Sequence, residues 1–484
     1  MRTEKIAAKF MNKMTKSGIW YILAIAIVAS IPLMTDYVLK AEDLASTLSH
    51  IEVIGREMTG HFPMRIGTWG SLDYGYEAAS FQANVWYLLP ALLCRLGMGV
   101  GNAYKWALFF CNLSTAGMAA LCFQKCLKRR DIGLMAAMLY TWCPYRCSAM
   151  YLTGSYGETV AWTFLPVVIW GLSLLYEEDG RESSPAAVLA WGYSLLALSS
   201  TVVLTGALVM TLLWLAVMGR RTLRRRVWMN LGLAAGIVLM VNAWFLIPML
   251  LRLRDASAVG ILIPRDIRAR GMYLAQYLSI YAWGGAIPDP VENGMQGAPA
   301  MGPGIAVILS VAVMLWLWFT GQRKKSDETA LIGRLLILCG ILMFLSSNLF
   351  PWDLLQNKNM LFSVILALVY TPAKLGIVAD AGLILVCCRF LAGLTEDWRP
   401  NRRKIGILGM AAISFGTVQF QLGNILKNGA FARGAELESM AALSLPVVAQ
   451  ESLLWRCSEA LSLAALCVCA AIWMIRRRKD VKRI

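Results

Sequence analysis

Two short polar stretches in an otherwise apolar chain carry the residue types that acid–base chemistry needs. The first, AEDLASTLSHIEVIGREMTGHFPMRI (residues 41 to 66), holds Asp43, Glu52 and both histidines of the 484-residue chain, His50 among them. The second, CPYRCSAMYLTGSYGE (residues 143 to 158), holds Arg146, Tyr156 and Glu158. A carboxylate takes a proton from an attacking hydroxyl, an imidazole titrates near neutrality, and a guanidinium or ammonium stabilises charge on a phosphate. Read as a helix, Asp43 to Gly60 sets Leu44, Leu48, Ile51, Ile54 and Met58 on one face. Asp43, Thr47, His50 and Glu57 then form a stripe along its border, with Glu52 on the opposite side. That border suits a catalytic edge; it suits equally a solvated rim on a helix lying along a membrane surface. Glu158, at the start of an apolar segment, fits a helix N-terminus as readily as a site.

The elements that must position these residues are membrane helices. Hydrophobic residues make up 58% of the chain, charged residues 15%, and the mean hydropathy is +0.58, an apolar excess too large for one soluble core. Long apolar runs exclude a β-barrel, so the fold class is an all-α polytopic membrane protein, residues 1–484 forming a single integral membrane domain. We expect twelve crossings, near 18–38, 105–124, 131–150, 158–176, 186–201, 203–219, 228–250, 301–321, 330–348, 375–393, 404–423 and 453–475. The first follows the basic segment MRTEKIAAKFMNKMTK with no small-residue cleavage site, and reads as a retained anchor.

The net charge of +17 is distributed in clusters such as KCLKRR (125–130), RRTLRRR (220–226) and RRRKDVKR (476–483), each beside a proposed crossing. This is the pattern of the positive-inside rule, which is preferred over nucleic-acid or anionic-lipid recognition. It puts both termini in the cytoplasm and makes 39–104 the first extracytoplasmic loop, 151–157 a second, short outer loop and 251–300 a further outer loop. The count closes only if ASFQANVWYLLPALLCRLG (79–97), with Gln82, Asn84 and Pro90, lies at the interface without crossing. Most of the 12 cysteines sit in apolar segments, where a thiol packs as a small hydrophobe. No Walker motif and no GxSxG nucleophile elbow is present, which leaves ATP-driven pumping and α/β-hydrolase chemistry without support.

The segments HIEVI, GHFPMRI, DYGYEAASFQANVWYLLPALLCRLGMGVGNAYK, CPYRCSAMYLTGSYGE, FPWDLLQ and YTPAK together resemble multi-pass bacterial membrane proteins labelled 6-pyruvoyl-tetrahydropterin synthase-related. These are relatives of YfhO-type proteins in the GT-C glycosyltransferase-like group. The likeness runs from about residue 40 to 390 and is most specific over 50–158. It implies a GT-C-like bundle, no pterin chemistry, and a polyprenyl-phosphate-linked sugar as donor. It implies that an acid of the first outer loop, matched here by Asp43, serves as base or metal ligand, supported by Glu158; Glu52 matches a family glutamate. A divalent metal, Mg or Mn, held by Asp43 and Glu158 is the cofactor the group suggests. Arg146, Lys105 and Lys374 are then the outer-face cations for the lipid phosphate, with Tyr156 in the same substrate-binding set, and His50 stands with Asp43, Glu158 and Glu52 among the catalytic candidates. The chain departs from the family pattern at Thr47, His50 and Thr153, and YTPAK stands where relatives have QFPWR.

Asp380, within KLGIVADAGLILV, places a carboxylate at membrane depth, where insertion costs about 2.5–3.5 kcal/mol, and suits a proton relay or an internal pair. Three functions follow from these residues: a glycosyltransferase at the outer face of the bacterial cell membrane, a lipid or glycan transporter, or a non-catalytic envelope-assembly protein. An enzyme would show an outer cavity closed below, and a transporter a polar path through the bundle.

Overall fold

The computed structural model describes residues 18–57, 66–68, 83–177, 184–252, 266–279, 299–320, 327–356, 359–369, 371–395, 400–442, 446–448 and 453–481. Among them the chain is almost wholly helical, with four short strands in two antiparallel pairs. Each of the twelve apolar segments carries helix. Seven helices are long and apolar enough to cross a membrane: Val100–Leu127, Tyr156–Leu174, Thr201–Leu223, Glu328–Ser346, Pro372–Leu394, Ile405–Asn428 and Arg456–Met474. The pair Arg225–Val241 and Ala243–Leu251, bent by 81°, makes an eighth if it counts as one span.

Seven or eight candidate spans therefore stand where twelve were expected, and the reason is local. Crossing takes roughly 20 helical residues, and Gly18–Ala29, Pro185–Ala197 and Ile305–Phe319 are shorter. The expected crossing at 131–150 is broken at Pro144, which lacks an N–H and cannot continue the Arg130–Thr141 helix; a five-residue turn, Pro144–Ser148, and a π-helical turn, Ala149–Thr153, follow. In the bent pair the break falls at Asn242, fully buried, whose side chain donates to Ser194 Oγ (2.9 Å) and to the Val238 carbonyl (2.8 Å). Residues 88–95 form an eight-residue helix, about 12 Å long and too short to cross.

Contacts sort the helix termini into two ends of the bundle. At one end Arg129 donates to the Ala392 carbonyl (2.8 Å) and Thr395 Oγ1 (3.3 Å), capping the C-terminus of the Gly376–Leu394 helix. Lys128 pairs with Glu177 (3.4 Å), and Tyr176 bonds Thr222 (2.9 Å), so the 125–130 and 219–226 basic clusters share this end. At the other end Val38–Leu39 pairs with Phe431–Ala432, and Ile66–Thr68 with Pro446–Val448. A strap made of 429–442 and 446–448, carrying the Ala435–Ala442 helix, thus packs onto the first loop; ion pairs Lys40–Glu436 and Arg433–Asp36 fasten it. Between the ends runs Val100–Leu127, 28 residues and about 42 Å long.

The Tyr156–Leu174 span is 89% buried and sits at the centre, whereas Arg456–Met474 is 11% buried and lies at the periphery. Small residues let the central helices approach: a Cβ on Gly133 would lie 2.7 Å from the Gln124 backbone, so the Arg130–Thr141 helix can close on its neighbour only with glycine there. Hydroxyl and amide pairs, Asn112 to Ser30 (2.8 Å) and Thr115 to Thr163 (2.8 Å), join helices across the interior. Asp380 is fully buried, accepting from Tyr277 (3.1 Å) and from the Cys143 thiol (3.8 Å). It is an internal partner that anchors the 274–278 turn, and no chain of further carboxylates leads from it among the described residues.

Candidate active site

The helix expected from Asp43 onward runs Leu44–Glu57. Leu44, Leu48, Ile51 and Ile54 are buried as their spacing demands, against the 88–95, 100–127 and 435–442 helices; Met58 lies outside the described residues. Burial is wider than the apolar stripe and takes in the border that the sequence left open. Thr47 and His50 are buried with it. His50 bonds the Ser46 carbonyl (2.8 Å) through Nδ1 and stacks on Tyr87 (5.3 Å between centroids), and burial lowers its pKa below the usual imidazole value. It packs inside the cap instead of lining an open edge. Glu52 is half-buried on the other side of the helix, near Cys94.

Just before this helix the chain is bound to the second polar stretch. The Asp43 N–H donates to the Thr153 carbonyl (2.8 Å) and the Glu42 N–H to the Leu152 carbonyl (3.1 Å), acceptors freed where the π-helical turn ends. Gly154 closes that turn at φ +66°, and a Cβ there would sit 2.5 Å from the Ala41 Cβ. Glycine is required twice over, for the left-handed backbone and for the approach. Two residues further, Tyr156 opens the central helix that carries Glu158.

The third segment arrives from far along the chain. A 3-10 turn, Pro372–Leu375, opens the 376–394 helix; its Ala373 carbonyl accepts from Tyr145 (3.0 Å), and its Lys374 ammonium forms an ion pair with Glu158. Glu158 is 5% exposed, so breaking this pair would strand a buried charge. Asp43 is solvent-exposed at its edge, yet loss of hydration within the cap pushes its pKa up to about 6; the Lys374 charge opposes the rise and Glu158 and Glu42 add to it. The two acids have separate characters: lost hydration pushes the Asp43 carboxyl up, whereas Glu158 is ion-paired with Lys374. Sequence reasoning missed Glu42, whose only signal is its place beside Asp43, and missed the pairing of Glu158 with Lys374.

Not all the expected site residues gather here. Arg146 is fully buried, donating to the Thr141 carbonyl (3.2 Å) and Thr115 Oγ1 (3.2 Å). Tyr156 bonds the Trp86 carbonyl (3.2 Å) and packs its ring against Tyr87 and Tyr104. Lys105 donates to the Thr35 carbonyl (2.7 Å) at a neighbouring cleft lined by Leu33, Tyr37, Tyr104 and Tyr151. Among the described residues no group of three or more His, Cys, Asp or Glu side chains is placed to hold a metal ion. Mg or Mn would need about six oxygen ligands, and the carboxylate meant to supply one is bound to Lys374; the described residues do not fit that cofactor.

No protein-family model matches the chain, and no curated protein does. The pterin-synthase-related label therefore has no support from either comparison. Among solved structures the chain is similar to the arabinofuranosyltransferase AftD from Mycobacteria, at 12% identity over 84% of this chain and 27% of that one, with a TM-score of 0.45. It is similar also to the Archaeoglobus fulgidus oligosaccharyltransferase, at 12% identity over 83% of this chain and 52% of that one, TM-score 0.43. A third structure is archaeal AglB from the same organism, in complex with an inhibitory peptide and a dolichol-phosphate, at 13% identity over 87% and 56%, TM-score 0.43. The chain spans 27% to 56% of the length of these structures, and the likeness assigns no family.

Proposed function

We propose that the chain is a membrane glycosyltransferase that moves a sugar from a polyprenyl-phosphate donor to a cell-envelope acceptor at the outer face of a bacterial plasma membrane. The observation that carries this reading is the gathering of Asp43, Glu42, Glu158 and Lys374, from three distant segments, at the bundle end opposite the basic clusters. By the positive-inside rule the basic end faces the cytoplasm and the acid cluster faces outward. Cytoplasmic placement of both termini requires that Gly18–Ala29, Pro185–Ala197, Ile305–Phe319 and the broken 130–153 segment each complete a crossing with the non-helical residues beside them, which with the eight candidate spans makes twelve.

In this scheme Asp43 accepts the proton of the acceptor hydroxyl as its oxygen bonds to the anomeric carbon. The bond from that carbon to the donor phosphate oxygen breaks, and the lipid phosphate leaves as an anion. Lys374 offers the compensating positive charge, and Glu158 is the positioning residue that holds the ammonium in place. Lys105 is the second cation on this face, and Arg146 and Tyr156 act from behind by fixing the helices that carry the site. No step is routed through a metal.

The test is transfer of labelled sugar from a polyprenyl-phosphate donor in membranes. Asp43→Asn should lower the rate about 10²- to 10⁴-fold at unchanged expression, because the amide keeps the shape and cannot take the proton. Equal rates in the wild type and Asp43→Asn would remove the base. Absence of transfer by the wild type with every donor tried would favour an assembly protein.

A further inference from the structure

The basic end carries a surface that the proposed transfer chemistry does not use. Between the Thr201–Met218 and Arg225–Val241 helices, the chain makes a 3-10 turn, Gly219–Leu223, with Arg220, Arg221, Arg225 and Arg226 all exposed. None of these four has a carboxylate within ion-pairing distance among the described residues. The turn is built. Thr222 at its centre is buried, donates to the Leu215 carbonyl (2.7 Å) and bonds Tyr176 (2.9 Å) from the neighbouring central helix. Large apolar side chains stand among the guanidiniums: Leu223 is 76% and Trp228 55% exposed.

We infer that this turn is a docking surface for anionic phospholipid headgroups of the adjoining leaflet. Both flanking helices belong to candidate spans, so a turn of a few residues between them lies at the bilayer surface. A guanidinium grips a phosphate through paired N–H donors, and each basic side chain near an anionic membrane surface is attracted to it. Exposed leucine and tryptophan beside such a cluster fit the boundary between headgroups and acyl chains, and do not fit open solvent. Charge complementarity thus selects the occupant: a phosphodiester lipid with net negative charge, in preference to a zwitterionic one. A basic cluster serving only to orient the helices during insertion would need the charge alone; here the backbone turn that carries Arg220 and Arg221 is also fixed, through the Thr222 hydroxyl.

The experiment uses the full-length protein in dodecyl maltoside micelles with added phosphatidylglycerol or phosphatidylcholine, and reads retained lipid by native mass spectrometry. The wild type should retain phosphatidylglycerol at least about tenfold over phosphatidylcholine, and lose that preference at high salt. Replacing Arg220, Arg221, Arg225 and Arg226 by glutamine should abolish the preference. Thr222→Val keeps every charge, and therefore the insertion orientation, but loosens the turn; it should weaken retention several-fold. That arm decides the matter if the glutamine variant inserts incorrectly. Unchanged retention in Thr222→Val together with a correctly inserted glutamine variant that still prefers phosphatidylglycerol would overturn the inference. So would displacement of the lipid by a soluble acidic protein or by inorganic phosphate at matched ionic strength.

Discussion

At pH 5 sugar transfer should run at about a tenth of its plateau rate, and the cause should be Asp43. Its carboxyl, pushed up to about 6 by lost hydration and by the Glu158 and Glu42 charges, is only about one-tenth ionised at that pH, where an ordinary aspartate is almost wholly ionised. Only the ionised form accepts the acceptor proton, so the rate should climb roughly tenfold per pH unit below about pH 5, reach about half its plateau near 6 and level off above about pH 7. The perturbation that tests the mechanism is Glu42→Gln, which removes a charge that raises the Asp43 pKa and keeps both members of the Lys374–Glu158 pair. Its acid limb should move to lower pH by about a few tenths of a unit, with the plateau unchanged. The assay is the initial rate of labelled-sugar transfer in proteoliposomes from pH 4.5 to 8.5, with the donor saturating. A flat profile, or a limb that persists in the residual activity of Asp43→Asn, would refute the assignment.

Gly154→Ala should destabilise the protein by about 1–2 kcal/mol from the left-handed backbone alone, with more from the clash with Ala41. Thermal unfolding in detergent measures it, and adding Ala41→Gly should recover the clash component only. His50→Ala should lower stability by about 1–3 kcal/mol through lost packing on Tyr87 and leave the pH profile of transfer in place; a changed acid limb would return the imidazole to the reaction. Asp380→Leu should cost about 1–3 kcal/mol because the buried Tyr277 hydroxyl loses its acceptor, whereas Asp380→Asn should cost less, as read by thermal unfolding. Thiols introduced at Asp36 and Gly99 should label from one side of sealed vesicles and a thiol at Arg221 from the other; labelling of all three from one side would dissolve the two-ended arrangement.

The helices were legible because membrane helices declare themselves by apolar length, and all twelve segments carry helix. Spans were less legible: Pro144 and Asn242 break helices through backbone geometry that hydropathy does not register. The inward face of the 44–57 helix followed from 3.6-residue spacing, and its buried border did not, since burial of Thr47 and His50 depends on tertiary neighbours such as Tyr87, which stacks on the imidazole. Asp43 and Glu158 were readable as acids beginning or flanking helices. Their companion Lys374 was readable only as a positive charge near an outer turn, because ion pairing depends on tertiary approach. Arg146 shows the same limit: a cation in a short polar loop looks exposed, and Pro144 turns that loop into the bundle.

The strap also imposes an order on biogenesis. Val38–Leu39 finds its partner strand, Phe431–Ala432, only after roughly 400 further residues have been made, which at about 5–20 residues per second is a wait of tens of seconds to more than a minute. Throughout that interval the apolar side of the 44–57 helix lacks the 435–442 helix that closes over it. Ribosome-bound chains halted before residue 429 should therefore expose that segment to added protease, and chains released after residue 448 should not.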